Sequence, residues 1–121
     1  MGPQVAVAGA FLLAMVATEA LAQGPKLSAA DQFRNYALST CLADGYQADE
    51  IKKDAAAAAR GYLELGGLPL EAHTEATQLG RDFLKREYGS SSGQSLVLMK
   101  CLDFYQSPEL LTIIRKYMRR R

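Results

Sequence analysis

One histidine, His73, and two cysteines, Cys41 and Cys101, are all that a chain of 121 residues offers among the side chains that most often ligate transition metals. A zinc site needs about three protein ligands, usually including more than one His or Cys, so the inventory argues against a metal centre. Catalytic frameworks are missing as well. Ser90, Ser91 and Ser92 are clustered hydroxyls, but no G-x-S-x-G elbow or S-x-x-K pair accompanies them. The cysteines are not spaced as C-x-x-C, and Lys100 beside Cys101 would lower a thiol pKa only if that thiol were free. Asp49 with Glu50, and Glu71 with Glu75, resemble the two carboxylates of a glycosidase. Both pairs stand near expected helix starts, where acids offset the helix dipole for ordinary reasons. No stretch alternates with period two, so no sheet is expected, and there is no internal repeat. Nothing here calls for a cofactor or a catalytic set, which leaves a protein that binds.

Positive charge is also absent before the apolar run from Val5 to Ala17, apart from the chain's own amino group. The run leads to Ala20-Leu21-Ala22, a small-x-small pattern, and residues 1–22 read as a secretory signal peptide. The run is too short to cross roughly 30 Å of hydrocarbon and Glu19 blocks its extension, so no stable membrane anchor is expected. Residues 23–121 then suffice for one domain with one core.

The chain carries 14 basic and 13 acidic residues, but Arg115, Lys116, Arg119, Arg120 and Arg121 crowd into its last positions. Without them the body is mildly acidic. The tail fits a solvated helix end, whose cations complement the dipole, or a surface for an anionic partner; nucleic acid is not expected for an exported chain. Export also meets an oxidising compartment, where an even cysteine count favours a Cys41 to Cys101 disulfide over two buried thiols.

Helical periodicity organises the rest into an all-α fold of about five helices. Ser28 and Asp31 resemble a capping box ahead of Phe33, Tyr36, Ala37, Thr40 and Cys41, in a helix ending near Gly45. Asp49 is placed to cap a second helix, with Ile51, Ala55, Ala58, Tyr62 and Leu65 on its inner face and Gly66 as a left-handed terminus. The alanine-rich stripe would let another helix approach closely. Pro69 suits the first turn of a third helix running to about Tyr88, with Ala72, Ala76, Leu79 and Phe83 in the core and His73 on the surface. Leu98, Cys101, Leu102 and Tyr105 define a short fourth helix. Ser107 and Pro108 open a fifth, buried through Leu110, Leu111, Ile114 and Tyr117. Leu65, Leu68 and Leu70 either close the core or leave apolar area for a partner.

The segments "NYALSTCLADGY" (Asn35 to Tyr46), "FLKREY" (Phe83 to Tyr88) and "LMKCLDFYQSPEL" (Leu98 to Leu110) together resemble the immunity proteins that neutralise type VI secretion amidase effectors. The resemblance covers most of residues 23–121 in the same order. It implies a periplasmic, non-catalytic, all-helical homodimer from a Gram-negative bacterium. Its partner would be a cysteine peptidase-like amidase that cuts peptidoglycan between D-glutamate and diaminopimelate. By position in the pattern, the loop that enters the amidase cleft corresponds to Gly89, Ser90, Ser91, Ser92, Gly93 and Gln94. Two other readings of the residues stand beside it: a periplasmic helical adaptor docking through the alanine-rich helix and basic tail, and a small hydrolase using the serine loop.

Overall fold

A computed structural model describes residues 26–121; the expected signal peptide, residues 1–22, lies outside them. Five helices follow one another: α1 (Ala29–Gly45), α2 (Asp49–Leu65), α3 (Leu70–Leu84), α4 (Val97–Tyr105) and α5 (Pro108–Met118). No strand occurs among the described residues.

Local chemistry sets the boundaries. The Ser28 hydroxyl accepts from the Asp31 amide at 3.1 Å, and Ser107 accepts from the Leu110 amide at the same distance. Each thereby satisfies an amide that the first turn leaves unpaired. At the other end of α1 the Lys52 ammonium donates to the carbonyls of Ala43 (2.6 Å) and Tyr46 (2.9 Å). That places a cation on the negative end of the helix and ties α2 to it.

Helix α1 is the axis of the molecule, packing on each of the other four, whereas α2 makes its substantial helix packing on α1 alone. The core gathers Phe33, Ala37 and Cys41 of α1, Ala72, Ala76 and Phe83 of α3, Val97, Cys101 and Phe104 of α4, and Leu110, Ile114 and Tyr117 of α5. Phe83 and Phe104 meet with ring centroids 5.5 Å apart. The Cys41–Cys101 disulfide, spanning 60 residues, stitches α1 to α4 through this core.

Several expected positions move. Asp49 is the first residue of α2 and not its cap, which is Ala48; likewise Pro69 caps α3 from just outside it. The inner face of α2 is Ala55 and Ala59, while Ile51 and Leu65 are exposed. The alanines alone fit against α1, and the larger residues are turned out by that close approach. Gly66 has φ −71° and ψ 146°, extended and not left-handed. Glycine serves there by being small: a Cβ would stand 3.1 Å from the Tyr62 carbonyl oxygen and 3.4 Å from His73 Nε2.

His73 is the largest departure, being only 1% exposed. Small neighbours on α3, Ala72 and Ala76, let the ring sink between Phe33 and Tyr36, at centroid distances of 5.1 and 4.6 Å in edge-on contact. Its Nδ1 lies 3.0 Å from the Pro69 carbonyl oxygen. A carbonyl only accepts, so Nδ1 carries the hydrogen, and Nε2 is buried without a hydrogen-bond partner among the described residues.

Candidate inhibitory loop and its supports

Helix α3 stops at Leu84, not Tyr88, and α4 begins at Val97, so residues 85–96 form the one long connection between the described helices. The stop has a visible cause. The Lys100 ammonium takes the Leu84 carbonyl at 3.3 Å, and Tyr88 is drawn away to donate its hydroxyl to Asp103 Oδ2 at 2.6 Å. That bond, with desolvation and the nearby carboxylate charge, raises the Tyr88 pKa and keeps the phenol a neutral donor. Just before it, the Arg86 guanidinium covers the buried Phe83 ring at 3.6 Å. The Lys100 ammonium stands 5.7 Å from the Tyr88 ring. Charge, aromatic face and hydrogen bond therefore fix the incoming limb to α3 and α4.

The outgoing limb is fixed differently. Leu96 adopts φ 55° and ψ 38°, the left-handed region that a branched side chain occupies only where its surroundings enforce it. The bend drops Val97 into a notch formed where Gly45 lacks a side chain: a Cβ on Gly45 would lie 2.5 Å from Val97 Cγ1 and 2.8 Å from Leu84 Cδ2. From Val97 onward, the helical period carries Cys101 and Phe104 inward.

Between these limbs stand Gly89, Ser90, Ser91, Ser92, Gly93 and Gln94, with all but Ser90 exposed. The tip is a turn: the Gly93 amide donates to the Ser90 carbonyl at 3.3 Å, and Gly93 takes φ 77°. The hydroxyls of Ser90 and Ser92 lie 3.0 Å apart. His73 cannot serve these serines as a base. It sits in the first turn of α3, about 16 Å of helix from Leu84, at 1.5 Å per residue, and is sealed in the core. Among the described residues no group of three His, Cys, Asp or Glu side chains could hold a metal.

Residues 89–94 fall in the connection between α3 and α4, as expected, but the helix that follows is turned differently from expectation. Leu98 and Leu102 do not face the core; with Met99 they are 51%, 40% and 51% exposed respectively. Both faces of α4 are apolar, so periodicity alone could not choose between them. Val97, Cys101 and Phe104 form the inner one because the disulfide and the Gly45 notch select it. The bridged Cys101 was the available signal, since Val97 four residues before it and Phe104 three after it share its face. The result is an apolar shoulder beside the tip, where Tyr46 and residues 94–99 line a shallow depression.

Comparison with known proteins gives a consistent result. Residues 31–114 match the model of a family described as type VI secretion system (T6SS), amidase immunity protein. A chain in the structure of the Tae4/Tai4 effector–immunity system from Salmonella typhimurium is 35% identical, with a TM-score of 0.70, over 74% of this chain and 88% of that one. A chain of the Tae4–Tai4 complex from Enterobacter cloacae shares the fold at 23% identity and a TM-score of 0.66, over 75% and 96% of the two chains. No curated protein matches.

Proposed function

Since the chain belongs to the T6SS amidase immunity protein family, we propose that it shields its producing cell by pressing the Gly89–Gln94 tip into the active-site cleft of a cognate peptidoglycan amidase. The 35% identical relative belongs to an effector–immunity system, which supports an inhibitory role over an enzymatic one. One observation carries the choice of loop: residues 85–96 are anchored at both limbs while the tip between them carries only small side chains and Gln94.

A braced tip limits the ordering entropy lost on binding. Glycines and serines let the backbone approach a thiolate and its oxyanion site without a large side chain in the way. Leu98, Met99 and Leu102 would lie against the rim of the cleft. Peptidoglycan is outside the inner membrane, so the protein works in the periplasm, exported by residues 1–22 and folded as residues 23–121. It acts as a homodimer and needs no cofactor.

Replacing Ser91 and Ser92 by Phe tests the loop. Inhibition of the amidase should weaken by on the order of a hundredfold, equivalent to about 3 kcal/mol of lost contact, with the fold unchanged by circular dichroism. Undiminished inhibition would remove the loop from the interface. Coexpression with the amidase tests the role itself: rescue from lysis is expected of an immunity protein and not of a structural adaptor.

A further inference from the structure

The basic tail has no part in that mechanism, and its place in the fold gives it one. We propose that the end of the bundle opposite the loop is a docking surface for an anionic lipid bilayer. Helix α5 starts near the loop, where Ser107 and Pro108 share a depression with Phe83 and Arg86, and runs away from it. Its last residues reach the α2–α3 turn: a Cβ on Gly67 would lie 3.1 Å from Arg121 Nη2 and 3.6 Å from the Ala29 Cβ. The α2–α3 turn, the start of α1 and the end of α5 therefore share one end.

Two kinds of exposed side chain meet there. Leu65 and Leu70, 68% and 69% exposed, flank the turn, with Leu27 at 47% and Met118 at 38% close by. Leu70 and Tyr117 line one depression, which brings α3 against α5. Around them stand the cations. Lys116 is committed to Glu75 at 2.7 Å, but Arg115, Arg119, Arg120 and Arg121 have no carboxylate partner within ion-pair distance among the described residues. Arg120 and Arg121 instead lie over apolar neighbours, 5.2 Å from the Tyr117 ring centroid and 3.7 Å from Met118 Sδ. The acids Asp31, Glu64, Glu71 and Glu75 lie on α1, α2 and α3; Glu75 holds Lys116 and feels the charge of Arg120, while the three residues after α5 are all arginine.

Leucines that project at a chain turn, with arginine side chains beside them, match the acyl and anionic headgroup layers of a membrane interface. Guanidinium groups also bind phosphodiesters in a two-point fork that an ammonium cannot make. The described chain enters the fold at this same end, through Lys26 and Leu27. Docked so, the molecule would hold its loop away from the bilayer and towards the cell wall; that orientation, unlike the docking itself, rests on the function proposed above.

The test uses residues 23–121, which contain every described helix and the disulfide, in co-sedimentation with vesicles. Vesicles containing phosphatidylglycerol should bind it at least about tenfold more tightly than pure phosphatidylcholine, and added salt should abolish the difference. Changing Arg119, Arg120 and Arg121 together to Gln should weaken that binding on the order of a hundredfold. Leu65→Ser/Leu70→Ser should also weaken it, with amidase inhibition in solution retained by both variants. Absence of vesicle binding, equal binding to both lipids, or an unaffected arginine variant overturns the proposal. So does loss of amidase inhibition in either variant, which assigns the patch to the effector, or conversion of a dimer to monomer by the leucine changes, which assigns it to a second copy. The Ser91/Ser92 experiment fails or succeeds independently of all these outcomes.

Discussion

Breaking the Cys41–Cys101 bond should remove a large part of the protein's stability and release α4 first. The bridge closes a loop across 60 positions of sequence, and in the chain-entropy model such a closure is worth about 4 kcal/mol at room temperature. Domains of this size are stable by only about 5–15 kcal/mol, so the reduced protein stays folded but lies close to the edge. Its melting entropy should be on the order of 200 cal/mol/K, which converts the loss into a fall of about 20 °C in Tm. Scanning calorimetry of the oxidised protein, the protein in reductant, and Cys41→Ala/Cys101→Ala provides the comparison. Reductant should lower the first and leave the double variant unmoved. Local exchange is the sharper readout: α4 spans Val97–Tyr105, too short to persist without tertiary support. Its amides should lose protection before those of α1 and α3, and the outgoing limb of the loop should loosen with them. A fall of less than about 5 °C in Tm, or uniform deprotection of all helices, would refute the reasoning.

The notch beneath the loop can be tested by filling it. Gly45→Ala places a methyl 2.5 Å from Val97 Cγ1 and should cost about 1–3 kcal/mol, read as a lower urea midpoint at unchanged m; an unchanged midpoint would mean that Val97 is not seated there. The contact between α3 and α5 should be legible in pH. The hydrogen bond from Lys116, then that from Tyr117, lowers the Glu75 pKa, so its contribution is complete above the ordinary glutamate range and is lost as pH falls through the lowered folded value. Lys116 and Tyr117 are raised, first of all by the Glu75 hydrogen bond, so theirs is complete below their ordinary values and is lost as pH rises through the folded ones. The difference in Tm between wild type and Glu75→Gln should therefore be flat near neutrality and vanish in acid; a difference that persists in acid contradicts the assignment.

Much of this architecture could be read directly in the residues, and what could not has physical causes. Caps at Ser28 and Ser107, and the Phe33–Ala37–Cys41 and Ala72–Ala76–Phe83 stripes, are local signals, and they locate the helices and the bridge. Rotation of a helix about its own axis is not local. Helix α4 is apolar on two faces and α2 has a run of five alanines, so each could be turned more than one way until its neighbour was known. His73 looked solvent-facing because Glu71 and Glu75 flank it; the two small residues beside it, Ala72 and Ala76, make room for its ring in the core. The loop's position and composition were plain, whereas the partner of Tyr88 was not. Tyr88 to Asp103 is a side-chain pair 15 positions apart, and no period connects them.

That brace bears on how affinity and blockade are divided between neighbouring surfaces. Ordering a free backbone costs about 1–2 kcal/mol per residue, and a connection from Lys85 to Leu96 that met its target unrestrained would lose most of its binding energy to that term. Pinning Arg86, Tyr88 and Leu96 beforehand confines the cost to Gly89–Gln94, and the Ser90–Gly93 turn reduces it again. Yet the tip has little to offer in return. Binding hot spots are large, rigid and desolvated, and of the six tip residues only Gln94 is larger than serine. Burying a Leu or Met, by contrast, contributes about 1.5–3 kcal/mol each, and Leu98, Met99 and Leu102 stand exposed immediately beyond the outgoing limb. Under the function proposed here, the shoulder supplies the affinity and the tip occupies the reacting site. The left-handed turn at Leu96 links the two roles, because it sends Val97 inward and leaves Leu98 and Met99 beside the tip.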